Sequence, residues 1–114
     1  MEAAIVFRYG RPAGREKLGF EAFQEAVGFF AAKAGEGLCL APVVYMSPSG
    51  GGMLIVPGER DALVGLAASD DFIRMYLKAG YAVADLSYEI MVAGEDAVAQ
   101  MGQWAAVGSE LGLM

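Results

Sequence analysis

A chain of 114 residues with a net charge of −6 and a mean hydropathy of +0.43 has room for one core and is apolar for its size. It contains no histidine, asparagine or threonine, which excludes a histidine-containing catalytic triad, a His-Glu-x-x-His zinc site and a histidine-ligated haem. The basic residues are scattered except for Arg8, Arg11, Arg15 and Lys17, too few to make a nucleic-acid surface.

The single cysteine, Cys39, permits neither an internal disulfide nor a multi-cysteine metal site, and in its apolar setting it reads as a small buried hydrophobe. No uncharged apolar run approaches the ~20 residues of a membrane span, and the N-terminus lacks the basic-then-apolar order of a signal peptide. A cytoplasmic protein without membrane or nucleic-acid partners, metal or cofactor is the expectation.

Residues 3–9 alternate, with Ile5, Phe7 and Tyr9 on one face and Ala4, Val6 and Arg8 on the other, and predict a strand. Gly10 to Gly14 is turn chemistry. A helix follows over about 15–33, with Phe23, Ala26, Val27, Phe30 and Ala34 as its apolar stripe. Residues 38–46 predict a second strand, placed at an edge by Pro42, which cannot donate to a ladder. Ser47 to Gly52 forms a loop of hairpin length, and 53–56 a short apolar third strand closed by Pro57-Gly58.

A short helix is expected over 59–68. Ser69 then caps a second one that carries Asp70 and Asp71 in its first turn. Residues 83–92 predict the fourth strand, with Leu86, Tyr88, Ile90 and Val92 opposite Asp85, Ser87, Glu89 and Met91. The last helix begins at 95. Its stripe of Ala97, Met101, Trp104, Gly108 and Leu111 should dock on its own sheet or across a dimer.

This order predicts a single α+β domain over 1–114. It is the ferredoxin-like β-α-β-β-α-β arrangement with an extra C-terminal helix, an antiparallel sheet ordered 4-1-3-2, and helices on one face. The other face, carrying Val6, Arg8, Asp85, Ser87, Glu89 and Met91, has no partner within the chain.

That topology, with the segments Phe7-Arg8-Tyr9-Gly10-Arg11-Pro12 and Gly50-Gly51-Gly52-Met53, resembles the dimeric α+β barrel superfamily, in an uncharacterised bacterial branch. The resemblance implies a homodimer with two sheets face to face around a small cavity. Its members include cofactor-independent monooxygenases and small isomerases. The branches that rely on a histidine find none here.

On the bare face Arg8 could hold a carboxylate or enolate while Glu89 handles a proton. Tyr45, Asp85, Ser87 and Tyr88 are the candidate ligand-binding residues around them. The competing reading makes Arg8 and Glu89 a structural cross-strand pair in a non-catalytic, structural or regulatory homodimer whose cavity is filled by side chains. The first reading expects a small apolar ligand with one anionic or carbonyl group. The glycine-flanked turn at Gly10–Arg15, the Gly50–Gly52 segment and the Asp70-Asp71 pair read as a strand-to-helix turn, a hairpin turn and helix capping.

Overall fold

The computed structural model describes residues 2–114. Strand β1 (Glu2–Gly10) directs Ala3, Ile5 and Phe7 into the core, as its alternation predicts. Helix α1 (Glu16–Gly35) follows and buries Gly19, Ala26 and Phe30 against the same sheet face. The sheet continues with β2 (Val43–Met46), β3 (Gly52–Glu59) and, after helices α2 (Arg60–Ala67) and α3 (Asp70–Gly80), β4 (Ala84–Val92). All pairings are antiparallel and the order is β2-β3-β1-β4, as expected.

Helices α1, α2 and α3 share one face. Phe30 of α1, Leu63 and Leu66 of α2, and Phe72 and Met75 of α3 close over Ile5, Phe7, Leu54 and Val56. The centre is aromatic: the rings of Phe7, Phe30, Phe72, Tyr76 and Tyr88 lie in tilted, edge-to-face or, for Phe72 and Tyr76, stacked contact at 5.0–6.4 Å. Ser69 caps α3, its hydroxyl accepting from the Phe72 N–H.

Two boundaries differ from the sequence reading. The second strand starts at Val43 rather than Leu38, because residues 38–42 bring the chain back from α1. In that stretch Leu38 N–H donates to Lys33, Leu40 N–H donates to Pro57, and Cys39 is buried beneath the turn. The third strand runs on through Pro57 and Gly58, paired with Ala4 and Ala3. Proline is tolerated there because β2 pairs no further along β3 than Ile55, so nothing on that side requires the missing N–H. The last helix, α4 (Gly94–Glu110), forms as expected but has no buried residue, so its stripe is not docked within the chain.

Candidate functional site

The register lays out the bare sheet face in rows. Tyr45, Met53, Arg8 and Ser87 lie side by side across the four strands, and Val43, Ile55, Val6 and Glu89 form the next row. Arg8 and Glu89 are therefore diagonal neighbours, with Arg8 Nη1 3.9 Å from Glu89 Oε1 and side chains 48% and 64% exposed. Asp85 lies at a bulge between the β1–β4 pairs Arg8↔Ser87 and Gly10↔Ala84. Its φ of 52° is in the left-handed region, which aspartate tolerates better than most residues.

Tyr88 does not join this group. It faces the helices, in the aromatic cluster with Tyr76 at 5.0 Å. The structure thus brings Arg8, Tyr45, Asp85, Ser87 and Glu89 to one face, without enclosing them, and sends Tyr88 to the other.

A partly open apolar space lies on the helix side. A cavity of about 270 Å³ opens between α1, α3 and the end of the sheet where β1 and β2 finish and β4 begins. Small residues on the inward faces of the helices leave it unfilled: Gly19, Ala22 and Ala26 on α1, and Ala79 on α3. Its walls are Phe7, Phe23, Phe30, Leu54, Met75 and Leu86, and it contains none of the six residues singled out on the sheet. It is slightly smaller than ligand pockets of roughly 300–1,000 Å³ and shares their apolar lining.

Two turns meet at its mouth. The side chain of Arg11 packs over Gly50, while its guanidinium lies 3.9 Å from Glu16. In the hairpin turn Gly50 N–H donates to Ser47 and Ser47 N–H donates to Gly51. The N–H of Gly14 donates to Glu16, so the turn before α1 is occupied by its own carboxylate and offers no vacant anion site. Backbone N–H groups, its own first and then that of Gly14, hold the Glu16 carboxyl below the usual range, with Arg11 adding attraction.

Tyr9 supplies the polar anomaly. Its hydroxyl is shut off from solvent with no hydrogen-bond partner, alone in this among the described residues. The close approach of Gly52 confines it: a Cβ there would lie 3.0 Å from Tyr9 Oη and collide with the Tyr45 carbonyl. Burial pushes the Tyr9 phenol up. It raises Tyr76 too, with Tyr88 adding repulsion, and Tyr76 Oη donates to the Leu86 carbonyl. Both phenols therefore stay protonated at neutral pH and can donate hydrogen bonds.

The Cys39 thiol donates to the Phe30 carbonyl and is pushed up by burial, as expected of a packing cysteine. Among the described residues no three acidic, cysteine or histidine side chains group as metal ligands, and no helix is long and apolar enough to cross a membrane.

The cavity escaped sequence reasoning. Its one visible signal was the spacing of Gly19, Ala22 and Ala26 on the inner face of α1, where a packed helix would carry larger residues.

No protein-family model and no curated protein sequence matches the chain. Solved structures do. Rv0793 from Mycobacterium tuberculosis superposes with a TM-score of 0.67 at 14% identity, over 82% of this chain and 96% of its own. A Caulobacter crescentus CB15 protein assigned to the antibiotic biosynthesis monooxygenases gives 0.63 at 20% identity, over 82% and 90%. SnoaB, a cofactor-independent oxygenase from Streptomyces nogalater, gives 0.60 at 17%, over 82% and 93%. The chain has the ferredoxin-like α+β fold of these antibiotic biosynthesis monooxygenase-like proteins.

Proposed function

We propose that this protein binds a small, flat, apolar molecule bearing a hydroxyl or carbonyl group in the cavity between α1, α3 and the sheet. The observation that carries this reading is the cavity itself: about 270 Å³ with almost wholly apolar walls, beside a phenol that lacks a partner. An aromatic ring would occupy the space left by Gly19, Ala22 and Ala26. An oxygen on that ring would accept from Tyr9 once the Gly50–Gly52 turn eases and uncovers the hydroxyl.

Naphthol tests this against naphthalene, which has the same rings without the oxygen. Calorimetry should give at least about ten-fold tighter binding for naphthol, the worth of one hydrogen bond of about 1.4 kcal/mol. Ala26→Phe should abolish binding of both, because the new ring takes the ligand's place. Equal affinities, or unaltered binding by Ala26→Phe, would remove the site.

The same cavity suits oxygenation without a cofactor, the activity of SnoaB. For a ring methylene the balance is R–CH2–R′ + O2 → R–CO–R′ + H2O, with the substrate providing all the electrons. Protonated tyrosines and an ionised Glu16 make poor bases. The substrate would have to be acidic itself, a hydroxyaromatic whose anion Tyr9 stabilises.

A homodimer closed through the bare sheet faces is a second part of the proposal, favoured by Ile55 and Met53, apolar and only half-buried on that face. It would enclose Arg8, Glu89, Asp85, Ser87 and Tyr45, where Arg8 and Glu89 could act on a ligand held between the sheets. Arg8→Ala should change the isolated chain's stability by no more than about 1 kcal/mol, the worth of an exposed ion pair. In the dimer it leaves Glu89 buried and unpaired, so the dissociation constant should rise at least about ten-fold by sedimentation. An unaltered dimer would place the pair outside the interface.

A further inference from the structure

The surface of this chain is too large for a closed monomer. Size scaling gives about 5,900 Å² for a protein of 11.9 kDa, whereas the chain exposes 7234 Å². Its radius of gyration is 16.1 Å, against about 13 Å for a compact domain of this length. The excess of roughly 1,300 Å² is more than the ~800 Å² that each partner contributes to a standard interface.

Two features contribute to it. On α4 and at its C-terminal cap, Val98, Met101, Trp104, Val107 and Leu111 are exposed, Trp104 at 71%. From Ala97 to Ser109 the helix has no charged residue, although acids stand at both ends in Glu95, Asp96 and Glu110. The other feature is the β2 edge. From Gly37 to Gly58 the chain is also uncharged, and Val43, Val44, Tyr45 and Met46 are exposed on a strand whose outer side is unpaired. An apolar edge of this kind promotes aggregation unless something covers it. It also borders the cavity, where Met46 (64% exposed) and Phe20 (62%) stand at the mouth.

Topology joins the two features. In the order β2-β3-β1-β4 the strands β2 and β4 are the two edges, and α4 follows β4 after Ala93 alone. When two copies stack bare face to bare face about a two-fold axis parallel to the strands, each β4 lies over the partner's β2. The helix leaving β4 then arrives at the exposed apolar edge of the partner's β2. The matched structures align with 82% of this chain, and the fifth left over is the size of residues 94–114.

We infer that α4 is a reciprocally exchanged arm, docked on the β2 edge of a second copy, where Trp104 and Met101 close the mouth of that copy's cavity at Met46 and Phe20. Only the contact at the mouth rests on the ligand-binding reading; the exchange needs no ligand.

The experiment compares the full chain with one ending at Ala93, by native mass and by emission of Trp104, the only tryptophan. The full chain should run at twice the monomer mass with its indole shielded from iodide. Removal of α4 should raise the dissociation constant at least ~100-fold. Because the shortened chain could fold poorly, a second measurement uses full-length Met46→Cys and Met101→Cys chains, oxidised separately and mixed. A disulfide linking the two different chains in the mixture supports the exchange.

A monomeric full chain, or a dimer whose Trp104 is freely quenched, overturns it. Trp104→Ala should weaken naphthol binding several-fold, and unaltered affinity overturns the contact at the mouth. If the full chain fails to bind naphthol at all, the cavity reading falls while the mass and cross-linking results still decide the exchange.

Discussion

Truncating Phe30 to alanine is expected to lower the unfolding free energy by about 3–5 kcal/mol, a large part of the 5–15 kcal/mol available to a domain of this size. The ring is fully buried, lies 5.1 Å from Phe29, 5.5 Å from Phe7 and 6.0 Å from Phe72, and joins α1 to both β1 and α3. It is also part of the cavity wall, so its removal enlarges a void that is already present. The neighbours cannot collapse into that space without displacing α1, which keeps the cost near the upper end of the range. Urea denaturation should show a lower midpoint at an unaltered slope. A shift below about 1 kcal/mol would mean that α1 relaxes inward, and that the cavity is easily closed.

The parts of this fold that were legible in sequence are those decided by local chemistry. The alternation in residues 3–9 and 83–92 assigns each side chain to a sheet face, and the paired registers keep that assignment. Ser69 announces α3 because its hydroxyl is needed where the first N–H groups lack partners. Leu38 to Pro42 misled because an apolar run there belongs to a returning loop rather than a strand: Cys39 alone is buried, beneath α1, while Leu38 and Leu40 stay exposed. Pro57 misled in the opposite sense. Its tolerance depends on where β2 begins, at Val43 opposite Ile55, a boundary that was itself misplaced in the sequence reading.

The candidate site was less legible for a related reason. Arg8 and Glu89 could be placed on one face by counting, and they meet as counted. The cavity arises from what is missing: side chains on α1 and α3 too small to reach the sheet. A stripe of Gly19, Ala22, Ala26 and Phe30 reads as packing until the distance between the helices is known. The exposure of α4 was similarly hidden, since its stripe looks the same whether it covers its own sheet or another copy's.

Tyr9→Phe should have effects of opposite sign on stability and on binding. Removing a hydroxyl that is buried without a partner relieves a desolvation cost of about 1–3 kcal/mol, so the variant should unfold at higher urea than the parent. The ring remains, with its 6.2 Å contact to Phe23, and so does the wall it forms. Naphthol should then bind about ten-fold more weakly while naphthalene binds as before, because only the oxygenated ring loses a donor. The donor is the neutral phenol, and burial raises its pKa. Naphthol binding to the parent should therefore persist unchanged through neutral pH. A variant of unaltered stability would mean that the hydroxyl is satisfied in solution by an ordered water. A more stable variant that keeps full naphthol affinity would assign Tyr9 to packing alone, leaving Tyr76 as the remaining phenol in the cavity wall. Gain in one measurement and loss in the other is the mark of a polar group kept in an apolar wall for a ligand's benefit rather than the fold's.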